Sequence, residues 1–151
     1  MLLLLMLMFA GCGDGSSGGG NVGRASAGST SLANGTAHGA FGPIAGATVT
    51  AYKAGITGFG TGAVAITSAI TNNEGAFTFT SGTCNTGDAI YYVSRGGNAG
   101  GGVNPAIALM SEVGLCESLP ATVVINEVTT VASVYALAQF IAHSSPYPVG
   151  T

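Results

Sequence analysis

Apolar and polar residues alternate in short runs through the middle of this chain, and the period lengthens near its end. Ala47, Val49 and Ala51 alternate with Thr48, Thr50 and Tyr52, the period-two pattern of a half-buried strand. Gly42-Pro43 before this run and Gly55 after it are breakers that bound the strand. A second alternating run covers Val64, Ile66, Ser68 and Ile70 and ends in Thr71-Asn72-Asn73-Glu74-Gly75. The Asn and Gly of that turn can take positive φ without strain. Phe77 and Phe79 then share a face, so the pattern predicts a β-hairpin with an aromatic inner side. Residues 89–94 predict a further strand, closed by Arg95-Gly96-Gly97-Asn98, and Thr122–Ile125, rich in β-branched residues, predicts another.

Two stretches read less simply. Asn104-Pro105 can start a helix running through Met110 to a stop at Gly114. Equally, Ile107 and Leu109 alternate as in a strand, which the β-rich surroundings favour. After Ile125 the period becomes helical, with Val128, Val131, Tyr135, Ala138 and Ile141 on one stripe. Thr129 or Thr130 is the expected N-cap, and Pro146 and Pro148 terminate any helix. So apolar a stripe is expected to pack inward, on the β structure or on a further domain downstream.

The first ten residues form an unbroken apolar run. A helix of that length spans only about 15 Å, half of a bilayer's hydrocarbon core, which suits the h-region of a signal peptide rather than a membrane span. Phe9-Ala10-Gly11-Cys12 follows, then a Gly/Ser run. These residues resemble the bacterial lipobox, an apolar residue and two small ones before a cysteine. The resemblance implies cleavage after Gly11 and acylation of Cys12, with residues 12–34 as a lipidated, Gly/Ser-rich tether. Phe9 stands where Leu is usual, and the absence of a basic residue ahead of the run points to a start upstream of Met1.

Composition narrows the function. Charged residues make up 6% of the 151, against about 25% in ordinary soluble domains, so the surface is built from Gly, Ser, Thr, Asn and Ala, as in extracellular β-proteins. The three basic residues, Arg24, Lys53 and Arg95, are scattered. Nucleic acid, which demands clustered cations, is an unexpected partner. Cys84 and Cys116 in an exported chain read as one disulfide, the alternative being two buried thiols.

The segments Gly35-Thr36-Ala37-His38-Gly39, Pro43-Ile44-Ala45-Gly46-Ala47-Thr48-Val49-Thr50-Ala51-Tyr52 and Thr71-Asn72-Asn73-Glu74-Gly75-Ala76-Phe77-Thr78-Phe79 together resemble the carboxypeptidase-regulatory-like modules, also called prealbumin-like or Cna-B-like. The resemblance covers roughly residues 31–95. It implies a mainly β fold, an Ig-like or transthyretin-like β-sandwich of seven strands, acting as a stalk, spacer or adhesion unit. Residues 35–126 are then the sandwich module and residues 127–151 a C-terminal helix and tail. Some related modules carry a Lys–Asn isopeptide bond. Lys53, Glu74 and Asn126 supply the residue types, but Lys53 stands at a strand end and the bond is not expected.

Sharper chemistry finds little support. Asn126-Glu127 after an apolar strand is similar to the acid/base pair of barrel glycosidases, but such a barrel needs about 250 residues, and partner carboxylates are few. Asn72-Asn73-Glu74 could offer oxygens to Ca²⁺, yet it holds one carboxylate. His38 and His143 are far apart in sequence, and neither a Gly-x-Ser-x-Gly elbow nor a phosphate loop is present. The sequence therefore predicts an envelope protein without catalytic residues, metal or cofactor. Its expected partner is the membrane, through the anchor, with a protein or a glycan as a further partner. Alternatives are a carbohydrate- or peptide-binding module using Tyr52, Tyr91 and Tyr92, of which Tyr91 and Tyr92 must face opposite ways, or a fragment of a larger exported protein.

Overall fold

The computed structural model describes residues 28–144 and 147–151. Cys12, the leader and most of the expected tether lie outside the described residues. Within them the chain is mainly β. The elements are β1 (Ser29–Ser31), β2 (Asn34–Gly39), β3 (Gly42–Pro43), β4 (Thr48–Lys53), β5 (Val64–Ile70), β6 (Ala76–Phe77), β7 (Thr83–Asn85), β8 (Ala89–Arg95), β9 (Ala108–Leu115), β10 (Thr122–Ile125) and helix α1 (Glu127–Ala136). The larger sheet has the order β5-β4-β8-β9, all antiparallel. Facing it, β10 runs parallel to β2, and β2 pairs in turn with β6 and β3. A two-stranded ribbon, β1 with β7, completes the β structure.

The core lies between the two main sheets. Val49, Ala51, Ile90 and Tyr92 from the larger sheet meet Ala37, Phe77, Val123 and Ile125 from the smaller. Each large aliphatic side chain removed from water there contributes about 1.5–3 kcal/mol. Tyr92 takes Phe77 and Phe79 edge-on, at centroid distances of 6.1 and 5.3 Å, an arrangement that sets ring edges against ring faces. A second cluster covers the opposite face of the larger sheet, where Tyr91, Val93 and Met110 meet Leu137, Ile141 and Val149. Because β8 is covered on both faces, its sequence Ile-Tyr-Tyr-Val is a continuous apolar run rather than an alternating one.

Three expectations are corrected. The tether does not extend to residue 34: Ser29–Ser31 pairs with Thr83–Asn85, and Leu32 and Ala33 are buried in the core. A three-residue polar strand whose partner lies more than fifty positions away leaves no local period to read. The predicted hairpin does not form either. β5 pairs with β4, whereas β6 pairs with β2, so the 71–75 turn carries the chain between sheets. The turn chemistry is as expected: Asn72 Oδ1 accepts from the Glu74 and Ala76 amides, both at 2.9 Å, and Gly75 has φ +73°. A Cβ on Gly75 would also overlap the Ala37 carbonyl.

The third correction concerns α1. Its N-cap is Asn126, in a reciprocal capping box with Thr129, not Thr129 or Thr130. The helix ends at Ala136, before Ala138 and Ile141 of the expected stripe. The rest of that stripe faces outward, with Val131 70% and Tyr135 86% exposed. The inward face is polar. Thr129, Thr130 and Ser133 lie against β9, whose edge backbone groups need partners, and burying unpaired amides costs more than exposing valines. The undecided stretch before α1 is settled as strand from Ala108 to Leu115.

Candidate functional site

The staple is the best-defined feature. Cys84, in the middle of β7, and Cys116, just after β9, form a disulfide with a Cα–Cα distance of 5.8 Å and a sequence separation of 32. Both cysteines are buried. The bond ties the β1–β7 ribbon to the end of the larger sheet. Around it, Asp88 Oδ2 accepts from the Asn85 amide at 3.0 Å, and Glu117 Oε2 accepts from the Gly87 amide at 2.9 Å. Partial burial pushes the Asp88 carboxyl up, but the Lys53 ammonium and the Asn85 backbone outweigh it and hold the group below its usual range. The Gly87 hydrogen bond lowers Glu117 in the same direction. Lys53 lies 2.7 Å from Asp88, so it serves an ion pair rather than an isopeptide bond.

The proposed aromatic contacts are not at the surface. Tyr91 and Tyr92 do point to opposite faces, but both faces are covered and the residues are 2% and 0% exposed. Tyr92 donates its hydroxyl hydrogen to the Ala33 carbonyl at 3.0 Å, and Tyr91 Oη accepts from the Val149 amide at 3.3 Å. Burial pushes each phenol up to about 12. Tyr52 is half-buried and stacks on Tyr91, with centroids 5.2 Å apart. The sequence correctly separates the two tyrosines by strand parity, but it does not reveal that the C-terminal tail covers the second face.

A shallow cleft of about 380 Å³ opens between the β2–β3 turn and the glycine-rich 96–107 loop. Phe41, Ile44, Ile107 and Leu109 supply apolar walls, and Asn104 and Glu127 supply polar groups. Phe41 sits on the turn and is 94% exposed. Glu127 Oε1 accepts from the Ala40 amide at 2.9 Å, which anchors the turn to the start of α1. Asn104 Oδ1 is occupied by the Ala106 amide. Asn98 Oδ1 shapes the loop by accepting from Gly100 and Gly102. Glu127 is the one titratable side chain in this lining. Glycoside hydrolysis needs a second carboxylate about 5–9 Å away, so this arrangement can hold a ligand but lacks the pair that would cleave one.

The remaining candidates are dispersed. Asn126 caps α1. The Asn72 oxygen is committed to its own turn, which fits a structural turn better than a calcium loop. His38 pairs with Pro43 across β2 and β3, and His143 lies on an exposed bend. Among the described residues, no group of three or more His, Cys, Asp or Glu could hold a metal ion, and no helix is long and apolar enough to cross a membrane. No family model matches the chain, and no curated protein or solved structure matches it.

Proposed function

We propose that this protein is a non-catalytic interaction module of the bacterial envelope, a disulfide-stapled β-sandwich tethered to a membrane through lipid on Cys12. The observation that carries the reading is the buried Cys84–Cys116 bond, because such structural disulfides persist in oxidising compartments outside the cytosol. The lipobox-like Phe9-Ala10-Gly11-Cys12 supports the same address. The test is the intact mass of the chain extracted from bacterial membranes. A product beginning at Cys12, heavier by a diacylglyceryl or fully acylated group and two daltons light for the disulfide, is expected. A chain retaining Met1 with free thiols overturns it.

A second reading rests on the cleft. A fully exposed phenyl ring beside a carboxylate and an apolar floor is a combination that grips a sugar ring or an extended peptide. Calorimetric titration with a panel of soluble oligosaccharides and peptides tests it, with Phe41→Ala expected to abolish any heat that the unaltered chain gives. Absence of heat across the panel from the unaltered chain removes this reading and leaves the first intact.

A further inference from the structure

We infer that a cavity between the larger sheet and the C-terminal tail binds a small monocarboxylate with a short apolar stem, its carboxylate paired with Arg95. The cavity holds about 220 Å³, and an apolar cavity of about 150 Å³ already takes a molecule the size of benzene. Val93 of β8 and Met110 of β9 form its floor, and Val134 of α1 with Ile141 and Tyr147 of the tail forms the opposite wall. Val134 is 41% exposed and Tyr147 is half-buried, so the space is reached from solvent between α1 and the tail. The Thr130 hydroxyl also borders it, but is committed to the Met110 and Asn126 carbonyls.

The charge of the ligand follows from Arg95. This residue stands two positions after Val93 on β8, on the same face, and its cross-strand partner Ala108 also lines the cavity. Its guanidinium carbon lies 5.7 Å from the centroid of the Tyr147 ring, which places the group beside the tyrosine wall. Nη1 is buried and has no hydrogen-bond partner. The one ion pair among the described residues joins Lys53 to Asp88, so Arg95 has no carboxylate of this chain beside it. A ring face attracts the cation, but a buried donor without an acceptor still costs free energy. A carboxylate supplies the counter-charge together with two acceptors that match the guanidinium fork. Tyr147 takes φ +65°, a conformation that a bulky residue avoids unless its surroundings impose it, and such outliers gather at ligand clamps. The inference goes beyond the proposed function, involves neither Phe41 nor Glu127, and holds whether or not Cys12 is acylated.

Calorimetric titration of the full chain in detergent solution with hexanoate, corrected for the same detergent alone, is the first measurement. Saturable heat is expected. Hexanol, which keeps the stem and lacks the charge, should bind at least about tenfold more weakly, the worth of one hydrogen bond to a charged group. Arg95→Met, which keeps an unbranched apolar side chain, should weaken hexanoate by the same factor and leave hexanol unchanged. Magnetisation transfer from the hexanoate methyl to the methyl groups of Val93, Met110 and Ile141 locates the stem without any substitution. No saturable heat from the unaltered chain, equal affinity for acid and alcohol, undiminished hexanoate binding by Arg95→Met, or transfer to other methyl groups would each overturn the inference.

Discussion

The two edges of the larger sheet are treated in opposite ways. At β9 the backbone is closed by side chains of α1: the Met110 amide donates to Thr130 Oγ1 at 2.8 Å, the Glu112 amide donates to Ser133 Oγ at 2.7 Å, and the Thr129 hydroxyl donates to the Met110 carbonyl at 3.0 Å. At β5 nothing among the described residues performs this service. Closing an edge with a helix usually sets apolar residues against the sheet face. Here hydroxyls are set against the edge itself, which turns the valines of α1 toward solvent. One edge is thus satisfied within the chain at the expense of an exposed apolar stripe, and the other is left to solvent with a bulge that twists it.

The comparison breaks most severely where the closed edge is stapled. Replacing Cys84 and Cys116 with Ala should lower stability by about 3–4 kcal/mol in the chain-entropy view, the loop being some thirty residues long, as read by urea denaturation. The next largest effect tests the hydroxyls. Thr130→Val with Ser133→Ala leaves the Met110 and Glu112 amides without partners, at a cost of about 1–3 kcal/mol each. Hydrogen exchange at those two amides should accelerate well before exchange in β4 does. If the double variant is neutral, solvent is satisfying the edge and α1 is not its cap.

How much of this was legible depended on the range of the interaction. The strands at 48–53, 64–70, 89–95 and 122–125 announce themselves through alternation or β-branching, which are local properties. Local, too, are the 71–75 turn and the cysteine count. The pairing of β5 with β4 rather than β6 is not local, because the same turn suits a hairpin and a crossing between sheets. The aromatic candidate site failed because the cover over Tyr91 comes from the tail near Val149, 58 positions away and without a period of its own. The inversion of α1, by contrast, was visible. Asn126, Thr129, Thr130 and Ser133 follow the i, i+3, i+4, i+7 spacing as faithfully as the valines do, and a stripe of one carboxamide and three hydroxyls that regular is a hydrogen-bonding face.

Two smaller changes sharpen the contrast. Asn126→Ala removes the capping box and should cost about 1 kcal/mol, fraying the first turn of α1, where Thr129 and Thr130 meet β9. Helix loss there should raise exchange at Met110 more than at Glu112. The Lys53–Asp88 pair lies at the ends of the inner strands, between the two edges. The Asp88 carboxyl is held below its unfolded value, so its contribution is complete above about pH 4 and is lost as pH falls through the lower, folded value. Lys53 is partly solvated, which limits the pair to under about 1 kcal/mol. An Asp88→Asn chain should therefore lose less stability on acidification than the unaltered one.

The smallest expected effect on stability is the most discriminating. Ser68 is exposed and its position on β5 touches no cap or core cluster, so Ser68→Lys should change the unfolding free energy by no more than about 0.5 kcal/mol. A lysine at this position nevertheless places the charge that edge strands normally carry on an edge that lacks it. Thr130→Val with Ser133→Ala, at the closed edge, should instead lower stability through the two amides it leaves unpaired. If the edges are as different as their hydrogen bonds indicate, the α1 variant loses stability and Ser68→Lys does not. A loss of stability in Ser68→Lys comparable to that of the α1 variant would mean that β5 is already covered within the chain, and that the sheet is closed on both sides.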